Sequence, residues 1–133
     1  MFFGSIPALV TPFAAGRVNE AAFRKLVEWQ IDEGSNALVP CGTTGEVATL
    51  STEEHRRVIE ITVEVARGRV PVLAGCGSNN TAHAIELTRN AKQAGADAVL
   101  HVPPYYNRPN QEGIYAHLAA LAQEGVAVIL YNV

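Results

Sequence analysis

The sequence is poor in the residues that mark several common classes of protein. Its 133 residues include only two cysteines, Cys41 and Cys76, which are too few and too far apart to predict a zinc site or a disulfide framework. We expect both to be buried, reduced thiols near strand ends. No apolar run approaches the ~18 residues of a membrane span, and the start has no basic stretch of the kind found in signal peptides. These absences favour a cytoplasmic protein without a membrane partner.

Charge of either sign is also scarce. Charged residues make up 17% of the chain and the formal net charge is -3, so there is no basic face for nucleic acid. Hydrophobic residues make up 48%, which is enough for a packed core. The length is ordinary for one domain and short for two, so we expect residues 1–133 to belong to a single domain.

Short apolar runs alternate with longer amphipathic stretches along the whole chain. The expected strands are Ser5 to Val10, Ala37 to Val39, Val70 to Ala74, Ala98 to Val102 and Val126 to Tyr131. The expected helices are Glu20 to Asp32, a helix from the Ser51 and Glu54 capping box to Gly68, Thr81 to Gly95, and Gln111 to Glu124. On the fourth helix we expect Ile114, Leu118, Leu121 and Ala122 to face inward. This alternation predicts right-handed βαβ units and a parallel sheet.

Two α/β architectures fit such an order. One is a five-stranded doubly wound domain of the flavodoxin or receiver type, and the other is the first half of a (β/α)₈ barrel. A receiver needs clustered acidic residues after its first and third strands, and a flavodoxin needs a Ser/Thr-rich phosphate loop after its first. Those positions hold Thr11-Pro12-Phe13 and Gly75-Cys76-Gly77-Ser78, which favours the half barrel, about four βα units plus a fifth strand.

Function in a parallel α/β fold lies at the carboxyl ends of the strands. The second run is followed by Cys41-Gly42-Thr43-Thr44-Gly45-Glu46, in which two glycines allow converging backbone N–H groups and two threonines add hydroxyl donors. This loop suits a small carboxylate or phosphate, although a tight turn without a ligand has the same pattern.

Three phenols follow the fourth and fifth runs. Tyr105 and Tyr106 lie in a loop stiffened by prolines 103, 104 and 109, and Tyr131 ends the fifth run. A Tyr pair can pack at an interface, and a phenol can relay a proton when it is hydrogen-bonded to another hydroxyl. Thr43, Tyr106 and Tyr131 are therefore candidates for a hydroxyl chain around one bound acid.

Several of these segments together resemble the dihydrodipicolinate synthase family, within the N-acetylneuraminate lyase superfamily. The resemblance covers the whole chain, in register with the family's amino-terminal half, and its motifs are Gly4 to Phe13, Gly42 to Glu46, Pro103 to Pro109 and Tyr131-Asn132-Val133. It implies an enzyme of lysine biosynthesis that condenses pyruvate with aspartate semialdehyde through a lysine Schiff base. It implies no metal ion and no cofactor.

The resemblance also implies roles for particular residues. Thr43 and Thr44 would bind the pyruvate carboxylate, and Thr43 would link Tyr131 to Tyr106 in a proton relay. Tyr131 would act as general acid and base, while Tyr106 would reach into the neighbouring subunit of a tight dimer. In the lysine-inhibited relatives, an effector binds where His55, Asn79 and Tyr105 match by position. Val47 and His83 depart from the usual Ser and Glu there, which weakens the case for regulation.

The expected nucleophile does not match any residue of the chain. The two lysines, Lys25 and Lys92, both fall within predicted helices, whereas the family's Schiff-base lysine follows the sixth strand. We therefore expect the 133-residue chain alone to be inactive. We also expect it to associate, as a homo-oligomer (in the family a tetramer built as a dimer of dimers) or with a complementary half barrel.

Alternative functions remain open from the residues. A sister enzyme, such as an N-acetylneuraminate lyase or a 2-keto-3-deoxy acid aldolase, would share the glycine-rich loop and the tyrosine after the fifth strand. A catalytically inactive half-barrel fragment would share all of these features. The Thr43-Thr44 pair together with Tyr105-Tyr106-Asn107 favours the synthase.

Overall fold

The structure, a computed structural model, describes residues 2–132. They form an α/β fold in which helices pack against a parallel sheet. The helices are α1 (Glu20–Asp32), α2 (Thr52–Ala66), α3 (Thr81–Ala94) and α4 (Gln111–Ala122). The strands are β1 (Phe13–Ala14), β2 (Arg17–Val18), β3 (Leu73–Gly75), β4 (Ala98–His101) and β5 (Ala127–Leu130). No helix in this part of the chain is both long and apolar enough to span a bilayer.

The helices begin where side chains can satisfy their first N–H groups. Asn19 accepts from the Ala22 N–H at 3.1 Å, and α1 has the predicted bounds. The predicted capping box is confirmed, because Ser51 N–H donates to Glu54 Oε2 at 2.9 Å while Ser51 Oγ accepts from the Glu54 N–H at 3.2 Å. Gly95 ends α3 with φ 92°, a left-handed conformation that glycine adopts without a Cβ clash.

The fourth helix differs from its prediction. It ends at Ala122 rather than Glu124, and Ala122 is exposed. The buried residues are His117 and Leu121, while Ile114 and Leu118 are half-buried. The polar His117 can take an inward position because its Nδ1 lies 2.8 Å from Thr81 Oγ1 on α3, which satisfies one ring nitrogen.

The main sheet is parallel, as predicted, in the order β3-β4-β5. The first two predicted strands line up beside it through isolated parallel bridges, Ala8 with Val39 and Leu38 with Val72, and are not continuous strands. Prolines 7, 40 and 71 explain the difference, because proline has no N–H to donate to a ladder. Backbone hydrogen bonds still join these segments: Leu9 N–H donates to the Val39 carbonyl at 2.9 Å, and Leu73 N–H donates to the Leu38 carbonyl at 2.9 Å.

A small antiparallel hairpin, β1 with β2, was not predicted. Its two-residue turn is Ala15-Gly16, with φ of 50° and 75°. Turns with two positive φ values match the twist of a hairpin but usually carry Asn-Gly or Asp-Gly. Because this turn has alanine at its first position, the sequence did not predict the hairpin.

The sheet separates two apolar clusters. The larger cluster lies between the sheet and the helices and includes Phe23, Leu38, Ile59, Ala74 and Val99. The smaller cluster lies on the opposite face and consists of Ala37, Val39, Leu73 and Ala98, with Ile6, Leu100 and Ile129 packed against it. Successive residues such as Leu73 and Ala74 thus alternate between faces. On β5, Leu130 is 61% exposed, so this edge of the sheet has little cover among the described residues.

Candidate active site

A cavity of about 810 Å³ opens at the carboxyl ends of the parallel strands. Its floor is apolar and comes from the smaller cluster, and its rim comes from the loops that follow the strands. Its lining includes Gly42, Thr43, Thr44, Tyr105 and Tyr131. An apolar cleft with a few polar groups at its rim is the usual form of a small-molecule site.

The first rim loop, residues 41–50, presents donors to this cavity. Gly45 N–H donates to the Gly42 carbonyl and Glu46 N–H to the Thr43 carbonyl, each at 3.0 Å, so the backbone is tightly turned. Within residues 2–132, neither the N–H groups nor the hydroxyls of Thr43 and Thr44 donate to another protein atom. Adjacent free N–H and hydroxyl groups at the end of a strand suit a carboxylate.

The first rim loop is held by buried contacts. Thr11 Oγ1 donates to the Gly45 carbonyl at 2.7 Å in a buried position. Gly75 N–H donates to the Pro40 carbonyl at 2.9 Å, and a Cβ on Gly75 would overlap the carbonyl of Cys41. A Cβ on Gly45 would lie 2.9 Å from the Leu9 carbonyl oxygen. The loop therefore takes its shape from the packed backbone beneath it.

The second rim loop, residues 102–109, carries the tyrosine pair. Tyr105 lines the cavity, whereas Tyr106 is 95% exposed and does not. Tyr106 has φ 69°, and Asn107 N–H donates back to the Tyr105 carbonyl at 2.8 Å. A bond from residue i+2 to residue i around a positive φ forms a γ-turn, which is rare and strained for a residue with a Cβ.

Tyr131 also lines the cavity. Its N–H donates to the His101 carbonyl at 2.8 Å, which continues the pairing of β4 with β5. The structure thus brings Thr43, Thr44 and Tyr131 to one cavity and leaves Tyr106 outside it. No hydrogen bond joins the Thr43, Tyr106 and Tyr131 hydroxyls within the described chain, so the relay stays a prediction. Val133, the last residue of that motif, lies outside the described residues.

The three residues matched to an effector site occupy different surroundings. Asn79 is connected to the second rim loop, because Asn107 Nδ2 donates to the Asn79 carbonyl at 2.8 Å, and Tyr105 lies in that loop. His55 is 1% exposed, and its Nε2 lies 2.7 Å from the Gly75 carbonyl oxygen. A carbonyl only accepts, so Nε2 carries the proton there. Burial lowers the pKa of His55, which keeps the ring neutral.

The last residue of β4, just before the second rim loop, is a buried histidine that was not singled out from the sequence. His101 Nε2 lies 3.0 Å from Thr88 Oγ1, and that hydroxyl donates to the Ala84 carbonyl at 2.7 Å. The hydroxyl proton is used, so His101 Nε2 must donate, and its Nδ1 has no partner within residues 2–132. Burial, with a smaller effect of nearby His117, lowers the pKa of His101 to about 4.

Neither the cysteines nor the lysines supply a nucleophile at the cavity, although Cys41 is among its lining residues. Both cysteines are free and buried, as predicted, and burial raises their pKa values well above the usual range, which makes them poor nucleophiles. Lys25 is exposed on α1, and Lys92 Nζ donates to the Glu124 carbonyl at 2.9 Å. Neither lysine lines the cavity. Within residues 2–132 no cluster of three His, Cys, Asp or Glu side chains is arranged to hold a metal ion.

Comparison with known proteins agrees with this geometry. The model of the Dihydrodipicolinate synthetase family matches residues 1–133. A 4-hydroxy-tetrahydrodipicolinate synthase of Parvibaculum lavamentivorans is 63% identical over 134 residues, which is 100% of this chain and 46% of the relative. The chain thus spans about half the length of the curated relatives it matches.

Solved structures similar to this chain also include dihydrodipicolinate synthases. A chloride-inhibited dihydrodipicolinate synthase from Acinetobacter baumannii, complexed with pyruvate, is 52% identical with a TM-score of 0.97, and the match covers 100% of this chain and 46% of that one. A synthase from Cyanidioschyzon merolae with lysine bound is 38% identical with a TM-score of 0.94, covering 99% and 46%. These neighbours are (β/α)₈ barrels, so the predicted fold class, the first half of such a barrel, is confirmed.

Proposed function

The chain belongs to the Dihydrodipicolinate synthetase family, and we propose that it forms the amino-terminal half of a pyruvate-dependent, Schiff-base enzyme of the aldolase type. The enzyme condenses pyruvate with L-aspartate 4-semialdehyde in lysine biosynthesis, and it works in the cytoplasm without a metal ion or cofactor. Residues 1–133 are one part of a single barrel domain. The relatives of similar sequence carry the name of this activity, and the A. baumannii neighbour was crystallised with pyruvate.

One observation carries the proposal: Thr43 and Thr44 line the cavity, and within residues 2–132 their N–H and hydroxyl groups donate to no protein atom. Thr43 and Thr44 bind the pyruvate carboxylate through their N–H groups and hydroxyls, at a position fixed by the buried backbone below. Binding the carboxylate at the rim leaves the ketone over the apolar floor. Little competing water is expected there, which favours the addition of an amine to the ketone.

The nucleophilic lysine comes from a segment other than residues 1–133. Lys25 and Lys92 lie outside the cavity, and Lys92 already donates a hydrogen bond to the Glu124 carbonyl, just after α4. We use the term complete barrel for the assembly of this chain with the segment that supplies the remaining strands and this lysine. The exposed β5 edge and the smaller apolar cluster support such a partner, because unpaired edges and open apolar faces favour association. The chain alone is inactive.

The proton transfers fall to hydroxyl groups at the rim. Tyr131 is the general acid and base nearest the ketone, and Thr43 connects it to Tyr106. The exposure and strained backbone of Tyr106 support a role in an adjoining molecule. In a homo-oligomer built around a tight dimer, its phenol completes the relay of the neighbouring cavity.

The activity is tested with the complete barrel, pyruvate and a set of aldehydes. We expect turnover with L-aspartate 4-semialdehyde to exceed turnover with N-acetylmannosamine or glyceraldehyde. A preference for either sugar-like aldehyde would assign the barrel to a sister lyase or aldolase. In the Thr44→Val variant, which keeps the shape but loses the hydroxyl, the KM for pyruvate should rise on the order of tenfold.

An effector site for lysine is the finer part of the proposal. His55, Asn79 and Tyr105 are its candidate residues, and the C. merolae neighbour was solved with lysine bound. His55 is buried beneath Gly75 in the described chain, so the effector would contact mainly Asn79 and Tyr105. Calorimetry of L-lysine against the complete barrel tests this; absence of binding heat at millimolar lysine would remove the effector site.

A further inference from the structure

Two asparagine side chains join the loops at the cavity mouth. Asn107 Nδ2 donates to the Asn79 carbonyl oxygen at 2.8 Å, and Asn79 Nδ2 donates to Asn107 Oδ1 at 3.1 Å. Asn79 follows β3, whereas Asn107 lies in the second rim loop. We call this reciprocal pair the asparagine clamp.

The clamp holds a segment whose backbone is strained on both sides of Asn107. Tyr106 has φ 69° and Arg108 has φ 49°. Such conformations of non-glycine residues persist only where the surrounding structure imposes them. Asn107 lies between them and is the residue whose side chain reaches outside the loop.

Other polar attachments of this segment are missing. Within the described chain, the two bonds of the asparagine clamp are the only hydrogen bonds that join residues 103–109 to a different segment. The phenol of Tyr106 does not hold the loop either, because it is almost fully exposed. Within the described chain, the clamp is therefore the polar contact that ties this proline-stiffened loop to its surroundings.

We propose that Asn107, acting through the asparagine clamp, is a positioning residue for Tyr105 and Tyr106. It sets the γ-turn that presents the Tyr106 phenol outward and keeps Tyr105 at the cavity, and it does not itself touch substrate. Its catalytic consequence rests on the proposed function, whereas the clamping of the loop does not.

Graded variants separate the two bonds. Asn79→Ala removes one bond, Asn107→Asp removes the donor to the Asn79 carbonyl but keeps an acceptor, and Asn107→Ala removes both. Gln111→Ala is the matched control, because Gln111 is exposed on the neighbouring α4 and has no side-chain hydrogen bond in the described chain.

In the complete barrel we expect Asn107→Ala to lower kcat about tenfold and Asn79→Ala about threefold, since small misplacements of a reacting group have large effects on rate. The KM for pyruvate should stay within about twofold, because the first rim loop is untouched. The double variant should match Asn107→Ala, because no bond remains for Asn79→Ala to remove. Additive losses, or a KM that rises as kcat falls, would overturn the assignment.

A second readout does not need turnover. Chymotrypsin cleaves after Tyr106 only when the loop opens, so we expect cleavage of the Asn107→Ala chain to be about fivefold faster than that of the unmodified chain and of Gln111→Ala. Equal cleavage rates would overturn the clamp itself. Absence of turnover in the unmodified complete barrel would instead overturn the proposed function, and with it the catalytic role of Asn107.

Discussion

The two loops at the cavity mouth are attached to the fold in opposite ways. The first rim loop rests on buried backbone, with Thr11 bonded to Gly45 and Gly75 pressed against Cys41. The second rim loop is exposed, strained at Tyr106, and held by the two hydrogen bonds of the asparagine clamp. The proposed carboxylate site thus takes its geometry from the core, whereas the position of the phenols depends on surface contacts.

The largest effect is expected beneath the first rim loop. In Gly75→Ala the new Cβ would overlap the backbone carbonyl of Cys41, which cannot rotate away. We expect a loss of roughly 3 kcal/mol or more in the free energy of unfolding, measured by urea titration and circular dichroism. Gly42→Ala is the control, because its nearest neighbour would be Val39 Cγ1 at 3.8 Å. Similar losses in the two variants would contradict the tight backbone contact.

The next effect concerns His101, the last residue of β4 before the second rim loop. His101 is neutral when folded, with a pKa of about 4 against a usual 6.5, so unfolding takes up a proton between these values. Stability is therefore greatest above pH 6.5 and falls as the pH drops towards 4, by on the order of 3 kcal/mol. Burial also lowers the pKa values of His55 and His117, which adds loss in the same direction.

The His101→Gln variant tests the share of His101 in this loss. Glutamine keeps an N–H donor for Thr88 and does not titrate, so its urea midpoint should fall less between pH 7 and pH 4.5. An unchanged pH dependence would assign the loss to other groups.

A smaller effect is expected at Thr11. Thr11→Val keeps the shape and leaves the buried Gly45 carbonyl without its donor, at a cost of about 1 to 3 kcal/mol. Thr11→Ser keeps the hydroxyl and should restore most of the stability. If the serine variant is as unstable as the valine variant, packing of the methyl group rather than the hydrogen bond holds the first rim loop.

The smallest effect tests the strain in the second rim loop. Because Tyr106 is exposed and has φ 69°, Tyr106→Gly should be more stable than Tyr106→Ala by about 1 kcal/mol. At Tyr115, which is exposed within α4, the order should reverse by a similar amount, since glycine weakens a helix. If alanine were the more stable substitution at both positions, Tyr106 would not be strained.

The helices were predictable because their causes are local. Asn19, Ser51 and Glu54 cap helices within one turn, and apolar stripes fix their inner faces. The first two strands were less predictable, because their prolines limit them to isolated bridges. The Ala15-Gly16 hairpin was not predicted, because it lacks the usual turn residues.

The candidate site divides in the same way. The glycines and threonines of the first rim loop indicate a carboxylate site because glycines permit a tight turn and threonines add hydroxyl donors, while the buried backbone beneath the loop sets its shape. The γ-turn at Tyr106 and the asparagine clamp depend on contacts between Asn79 and Asn107, 28 residues apart, which no local pattern encodes. Likewise, His101 lies in an apolar run, and only the packing of α3 against β4 shows its partner Thr88.

We propose that a segment other than this chain supplies the nucleophile that attacks the pyruvate ketone. Borohydride reduction in the presence of pyruvate, with the modified residue located by mass spectrometry, tests this directly. We predict no adduct on the isolated chain, and in the complete barrel one adduct on a lysine outside residues 1–133. An adduct on Lys25 or Lys92, or none in the complete barrel, would contradict the claim.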